Sequence, residues 1–404
     1  MTTADYQKAL GQKIAAERHR RGLSQPELAR MVGRSVAWVS QVERGVRKVD
    51  RMSVLEALAA ALDVPLAELA AEAPVVAAVT EEPPGAGGLR LVLSGAYALR
   101  AMLDGRRAPA ISTLRTKARK AWELTHAGRY VELTDLLRSL VPDLETAARS
   151  LPEKQRAEVS ELLATTYQAC SAALAKLGEP EAAWIAADRA MAAAEWAGNP
   201  MLVAAGAFRL VFVFINTRHY DQAEETARTA AEALWPMADQ GDPRAISLWG
   251  GLTLQRAVIA AHVNDPDTAY GQLDRASQIA ARLGEARGEY NTEFGPANVR
   301  LYEIAVAVEL GDAGRALRAA ANVDTTGLSA ERQARMLIDV ARAHAQRRQV
   351  SEAVAALLQA EAITPEQIRS HALVRRLVSD LLTMQDPPAS ELRDLAKRLT
   401  SESA

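Results

Sequence analysis

Cysteine occurs once in 404 residues, so no intrachain disulfide staples this chain. The lone Cys170 lies in the Ala-rich run TTYQACSAALAKLG, where a small buried thiol packs like alanine. No Gly-x-y period appears, which excludes a collagen-like fibre, and no stretch approaches the roughly 18 uninterrupted apolar residues of a membrane helix. The opening MTTADYQKALGQK lacks a basic segment followed by an apolar run and a cleavage site, so a secretory signal is not expected and a cytoplasmic, nucleoid-associated protein is. Six histidines, at 19, 126, 219, 262, 344 and 371, never stand at i, i+4 or beside a cysteine pair, so no metal or cofactor is expected. Nucleophile elbow, phosphate loop and His-Glu-x-x-His are all missing, and GDAGRAL from Gly311 lacks the Gly-Lys-Ser/Thr ending of a phosphate cradle. An enzyme is therefore not expected. What remains, 49% apolar and 24% charged, is the balance of a folded protein too long for one ordinary core.

The net charge of -2 hides an uneven distribution. Residues 1–70 hold 11 Lys and Arg against 8 Asp and Glu, so this end is basic at +3 and the remainder carries -5. A small basic domain on an acidic body suits a protein that places one end on a polyanion. The basic end reads as short helices. Leu10, Ile14 and the stem of Arg18 recur at helical spacing up to Gly22, and Ser24 with Glu27 forms a capping box with Pro26 in the first turn. A helix over Gln25–Met31, a turn at Gly33 and a helix capped by Ser35, with Val39 and Val42 as its apolar face, make helix, turn, helix. A fourth helix from Ser53 carries Leu55, Leu58, Ala59 and Leu62, and a fifth follows Pro65 with Leu66 and Leu69.

The run LSQPELARMVGRSVAWVSQVERG, Leu23 to Gly45, followed by LEALAAALDVPLAEL, resembles the helix-turn-helix domain of the XRE family of repressors over residues 6 to 70. In such a motif the second helix of the pair lies in the major groove with its N-terminal residues at base edges. Arg34, Val36, Ala37 and Gln41 are then the sequence readers: Gln41 pairs with adenine, Arg34 with guanine, and the two small apolar side chains meet thymine methyls. Ser35, at the helix start, belongs to the same DNA-binding set. Trp38 either braces the sugar-phosphate edge or packs on the preceding helix, and packing is favoured. The resemblance implies phosphate contact for Gln25, Arg44, Lys48 and Arg51, which position without reading sequence. Glu43, acidic beside DNA, is expected to serve an internal partner, Arg30 or a backbone cap. One such domain binds weakly, so a homodimer on a pseudo-palindromic duplex is implied.

Paired prolines and clustered glycines in PVVAAVTEEPPGAGG mark residues 74–88 as a linker between a DNA-binding domain at 1–73 and a body at 89–404. The body is helical nearly throughout, giving an all-α chain. Polar turns near Gly128, Gly178, Tyr220, Asn264, Gly311 and Val350 recur every 37 to 50 residues, each followed by Ala-x-x-x-Ala/Leu. This pattern resembles a degenerate tetratricopeptide solenoid of about six helical pairs, with Ala182, Ala223, Ala269 and Ala316 as close-approach positions. The stretch FGPANVRLYEIAVAVELGDAGRAL, Phe294 to Leu317, resembles a segment of actinobacterial regulators that join an XRE domain to such repeats.

A solenoid presents its first helices on a concave surface. That surface is expected to hold Arg209, Phe212, Asn216 and His219, then Arg256 and His262, then Tyr290, Asn291, Asn298 and Tyr302. Asparagine grips a peptide backbone with donor and acceptor, although an inter-repeat hydrogen bond explains any one of these residues equally well. The whole resembles peptide-sensing, quorum-type regulators, and a ligand-responsive transcription regulator is the expected function: DNA as partner, a peptide or small molecule as signal, no membrane. The alternative is a scaffold whose repeats recruit another regulator to DNA.

Overall fold

The structure, a computed structural model, describes residues 3–47, 49, 52–64, 69, 86–94, 99, 103, 108–283, 289–385 and 388–400. The chain divides into two compact units, residues 1–81 and 82–404. The described residues are helical throughout, with no extended strand. No helix among them is long and apolar enough to cross a membrane.

The first unit contains α1 (Thr3–Arg20), α2 (Gln25–Met31), α3 (Val36–Glu43) and α4 (Met52–Leu62). Both predicted caps form. The Ser24 hydroxyl accepts the Glu27 amide while the Glu27 carboxylate takes the Ser24 amide, and the Ser35 hydroxyl accepts from the amide of Trp38 at 3.2 Å. Leu10, Ile14, Leu28, Val39, Val42, Leu55, Leu58 and Leu62 close one core, which Leu69 joins. The rest of the fifth helix, Leu66 included, lies outside the described residues.

The second unit opens with α5 (Ala86–Val92), which begins within the last three residues of the stretch read as linker. Its glycine has a packing reason: a Cβ on Gly88 would stand 2.3 Å from the Thr134 methyl group, so the missing side chain is what lets α5 lie on the helix carrying Thr134. Residues 74–85 lie outside the described residues. Six antiparallel pairs follow: α6 (Ile111–His126) with α7 (Tyr130–Ser150), α8 (Glu153–Lys176) with α9 (Pro180–Trp196), α10 (Pro200–Asn216) with α11 (Tyr220–Asp239), α12 (Pro243–His262) with α13 (Pro266–Leu283), α14 (Pro296–Glu309) with α15 (Ala313–Ala320), and α16 (Ala330–Gln346) with α17 (Val350–Ile363). Three more helices, α18 (Pro365–Ser370), α19 (Ala372–Met384) and α20 (Ser390–Thr400), cover the end.

Each pair turns on one residue in the left-handed region: Gly128, Gly178, Arg218, Asn264, Gly311 and Arg348. Five residues after each of them stands a fully buried Leu133, Ala183, Ala223, Ala269, Ala316 or Ala353, where the second helix meets the first. The expected small-residue register is therefore met, except that Ala183 rather than Ala182 occupies it. Proline begins α9, α10, α12, α13 and α14, where its absent N–H has no helical partner to lose.

The curvature differs from an open concave array. The first helix of the sixth pair, α16, touches the first helix of the first pair, α6. Lys176 at the end of α8 ion-pairs with Glu331 on α16. At the outer edge of the same seam the Glu366 carboxylate accepts the amides of Tyr130 and Val131, at 2.7 and 3.0 Å, and so caps α7 from across the chain. The six first helices thus form an inner ring.

Candidate functional site

On α3 the buried Val39 and Val42 face the core, which turns Ala37, Gln41 and Arg44, spaced i, i+4 and i+7, to the opposite side. Arg34, Ser35, Val36 and Ala37 are exposed, and Gln41 is half-buried. Trp38 is half-buried against the core of the first unit, and the Arg34 guanidinium lies 5.7 Å from the centre of its indole. Arg44 is exposed with its Nε donating to the Ser40 carbonyl at 3.2 Å. Lys48 and Arg51 lie outside the described residues.

Glu43 does have an internal partner, but it is Arg18 rather than Arg30. Arg18 Nε and Nη2 donate to its two carboxylate oxygens at 2.5 and 3.0 Å, and Arg18 Nη1 donates to the Leu23 carbonyl at 2.7 Å. Gln25 Nε2 joins at 2.8 Å, so one of the amide hydrogens expected to meet phosphate holds Glu43 instead. Burial opposes ionisation of Glu43, yet the hydrogen bonds from Arg18 and Gln25 outweigh it and hold the carboxyl below its ordinary value. The cluster ties α1, α2 and α3 together behind the exposed face, and so fixes the angle at which α3 is presented.

In the second unit the inner ring encloses a cavity of two adjoining lobes that share Lys176, Phe212, Tyr302, Glu331 and Arg335. Of the residues expected on the concave surface, Arg209, Phe212, Asn291 and Tyr302 line the first lobe, and Asn216 and His262 line the second. Arg256 is instead paired with Glu224 at 2.6 Å. Tyr290 contributes only its carbonyl, which accepts from Arg209 Nη2 at 3.3 Å, and His219 sits against Trp184 and Phe214. Asn298 lines neither lobe: it is buried with Nδ2 at 3.4 Å from the Thr292 carbonyl.

The segment from Glu289 to Phe294, between α13 and α14, is the plug on which this arrangement rests. Tyr290, Asn291 and Glu293 all have φ between 52° and 57°, which non-glycine residues adopt at a cost. Its carbonyls hold two arginines. Arg209 Nη2 donates to Asn291 at 2.8 Å, and Arg332 Nη2 donates to Thr292 at 3.2 Å while Arg332 Nε reaches the Glu293 carboxylate at 3.1 Å. Sequence reasoning missed Trp122, Lys176, Glu331, Arg332 and Arg335. The run ERQAR on α16 looks like a solvated charged stretch; its one signal is that it occupies a first helix, the same slot as Arg209 and Phe212.

Burial shapes the charge states here. It pushes Lys176 down to about 8 against the opposing pull of Glu331, and lowers Arg209 to about 10 with help from nearby Arg332. Glu331 stays ionised despite its burial because Lys176, Arg332 and Arg335 surround it.

The family model described as a helix-turn-helix domain matches residues 9–71. The search of curated proteins found no match. Among solved structures the chain is similar to PlcR of Bacillus thuringiensis, solved in complex with the peptide PapR7 and DNA, at 16% identity over 74% of this chain and 99% of that one. The TM-score of 0.28 makes that superposition too loose to argue from. The identification rests on the first unit: residues 9–71 carry a helix-turn-helix domain.

Proposed function

We propose that the chain is a transcription regulator that reads a pseudo-palindromic operator as a homodimer, with the helical ring as the sensor of a peptide or small-molecule signal. The observation that carries this reading is the outer face of α3, where Val36 and Ala37 are exposed and Gln41 half-buried, with the exposed Arg34 just ahead of them, on a helix braced from behind by Arg18 and Glu43. Two heads are needed because backbone contacts alone give only about micromolar affinity or worse at physiological salt. The scaffold alternative is less well supported, since recruitment calls for an open groove and the seam between α6 and α16 closes it. A binding protein rather than an enzyme is the corresponding reading of the body.

Genome-wide mapping of bound sites, followed by titration of one site at several salt concentrations, tests the DNA half. Arg44→Ala is expected to weaken all sequences alike and lower the salt slope by about one unit, whereas Gln41→Ala should lose about 1–3 kcal/mol, mainly at one base pair. Unchanged slope and unchanged preference in both variants would remove α3 from the groove. A change of operator affinity on adding cell extract tests the sensor half.

A further inference from the structure

The first lobe of the ring cavity holds more positive charge than the chain neutralises. Four cations line it, Lys176, Arg209, Arg332 and Arg335, against the carboxylates of Glu293 and Glu331. Both carboxylates are spent: Glu331 on Lys176, and Glu293 on Arg332 and the Ser329 hydroxyl. Among the described residues neither Arg209 nor Arg335 has a carboxylate at ion-pair distance. Both rest on aromatic rings instead, Arg209 at 4.7 Å from the centre of Trp122 and Arg335 at 5.4 and 5.6 Å from Phe212 and Tyr302. Ring faces attract cations without filling a guanidinium's planar fork of donors. Arg209 Nε is buried with no hydrogen-bond partner, and a buried donor left unmade costs free energy unless something else satisfies it.

Two further observations point the same way. The strained plug holds Arg209 through two carbonyls, and left-handed non-glycine residues of this kind gather where a ligand is clamped. On the other side of the cavity, burial pushes His371 down to about 4, and Lys176 and Arg335 add to that shift while Glu331 opposes it. The lobe holds about 550 Å³ of space not filled by atoms, counted out through its open mouth, and it runs on into the second lobe.

We propose that this lobe binds a compact oxyanion carrying an apolar body, its carboxylate or phosphate head between Arg209 and Arg335 and its body against Trp122, Phe208, Phe212 and Tyr302. The proposal rests on the sensor reading and gives its signal a chemical class. A bound head group would fill the open donors and neutralise the excess charge, so occupancy stabilises the plug and the seam that share these residues.

The test is ligand-observed NMR titration of the full-length protein with phenylacetate, phenyl phosphate and phenylacetamide. The amide has the same shape as phenylacetate without its charge. At least one anion is expected to bind about tenfold or more tightly than the amide, and that preference should vanish in Arg209→Gln and Arg335→Gln. Whichever anion wins identifies the head group. Circular dichroism establishes which variants are folded; Arg335 is half-exposed, so its variant decides if Arg209→Gln is not. The proposal falls if the amide binds as well as both anions, if the preference survives in the folded variants, or if neither anion binds below about 10 mM. None of these outcomes involves DNA, so the operator response to extract remains a separate test of the sensor reading.

Discussion

At the scale of single residues, the features legible in the sequence are those set by near neighbours. Ser24, Glu27 and Ser35 cap their helices as expected because a cap is decided within three residues. The partner of Glu43 was not legible for the complementary reason: Arg18 is 25 positions away and meets it only when α1 folds back on α3. That pair is nearly dry, with both side chains 7% exposed, so removing one charge leaves the other stranded. Glu43→Gln should cost about 3 kcal/mol, the low end for a broken buried pair because Arg18 keeps its bond to the Leu23 carbonyl. The cost should depend on pH. The folded carboxyl titrates below its ordinary 4.5, so the pair contributes fully above that value and its contribution fades as the pH falls through the lower folded value. Hydrogen exchange at the Val42 amide, followed from pH 7 downward, should show the wild type and the variant far apart at neutral pH and converging in acid. A gap that stayed constant would mean that the charge of Glu43 is not what holds α1 to α3.

At the scale of elements, turns were readable and close approaches were not. Gly128, Gly178 and Gly311 mark the pair turns because glycine enters the left-handed region without strain. The same residue type at Gly88 looked like linker, since a sequence cannot say whether a missing side chain serves a bend or a neighbouring helix. Arg218, Asn264 and Arg348 occupy the left-handed turn position without being glycine. An L-residue there pays roughly 1–2 kcal/mol, partly offset by the greater freedom a glycine would have in the unfolded chain. Arg348 is exposed, and its left-handed turn links α16 to α17. Arg348→Gly should therefore stabilise the protein by about 0.5–1 kcal/mol, read from its urea midpoint. A destabilised variant would show that the guanidinium contributes more than the turn strain costs.

At the scale of the whole ring, closure is the property the sequence concealed. The number of pairs and the period of their turns follow from local pattern, but the superhelical angle is a sum of small rotations between neighbouring pairs, each fixed by which side chains meet. Hence Arg209 and Phe212 were legible as inward-facing residues, whereas Arg332 and Arg335 come opposite them only once the chain has run on from the third pair to the sixth. If the seam closes as one unit, its contacts should not be independent. Lys176→Met takes from the buried Glu331 its closest cation, while Glu366→Ala leaves the first two amides of α7 without their acceptor. The second change alone should cost about 1 kcal/mol, like the loss of a helix cap, and the first more, as for a broken buried pair. Once either has parted the seam, the other has little left to lose, so the double variant should be destabilised by clearly less than the sum. Hydrogen exchange gives the local counterpart: protection at Tyr130 and Val131 should fall in Lys176→Met, although that substitution touches neither amide nor Glu366. Costs that add to within about 0.5 kcal/mol, with those amides still protected, would mean that the contacts between the first and sixth pairs form separately and that the ring opens without cooperation.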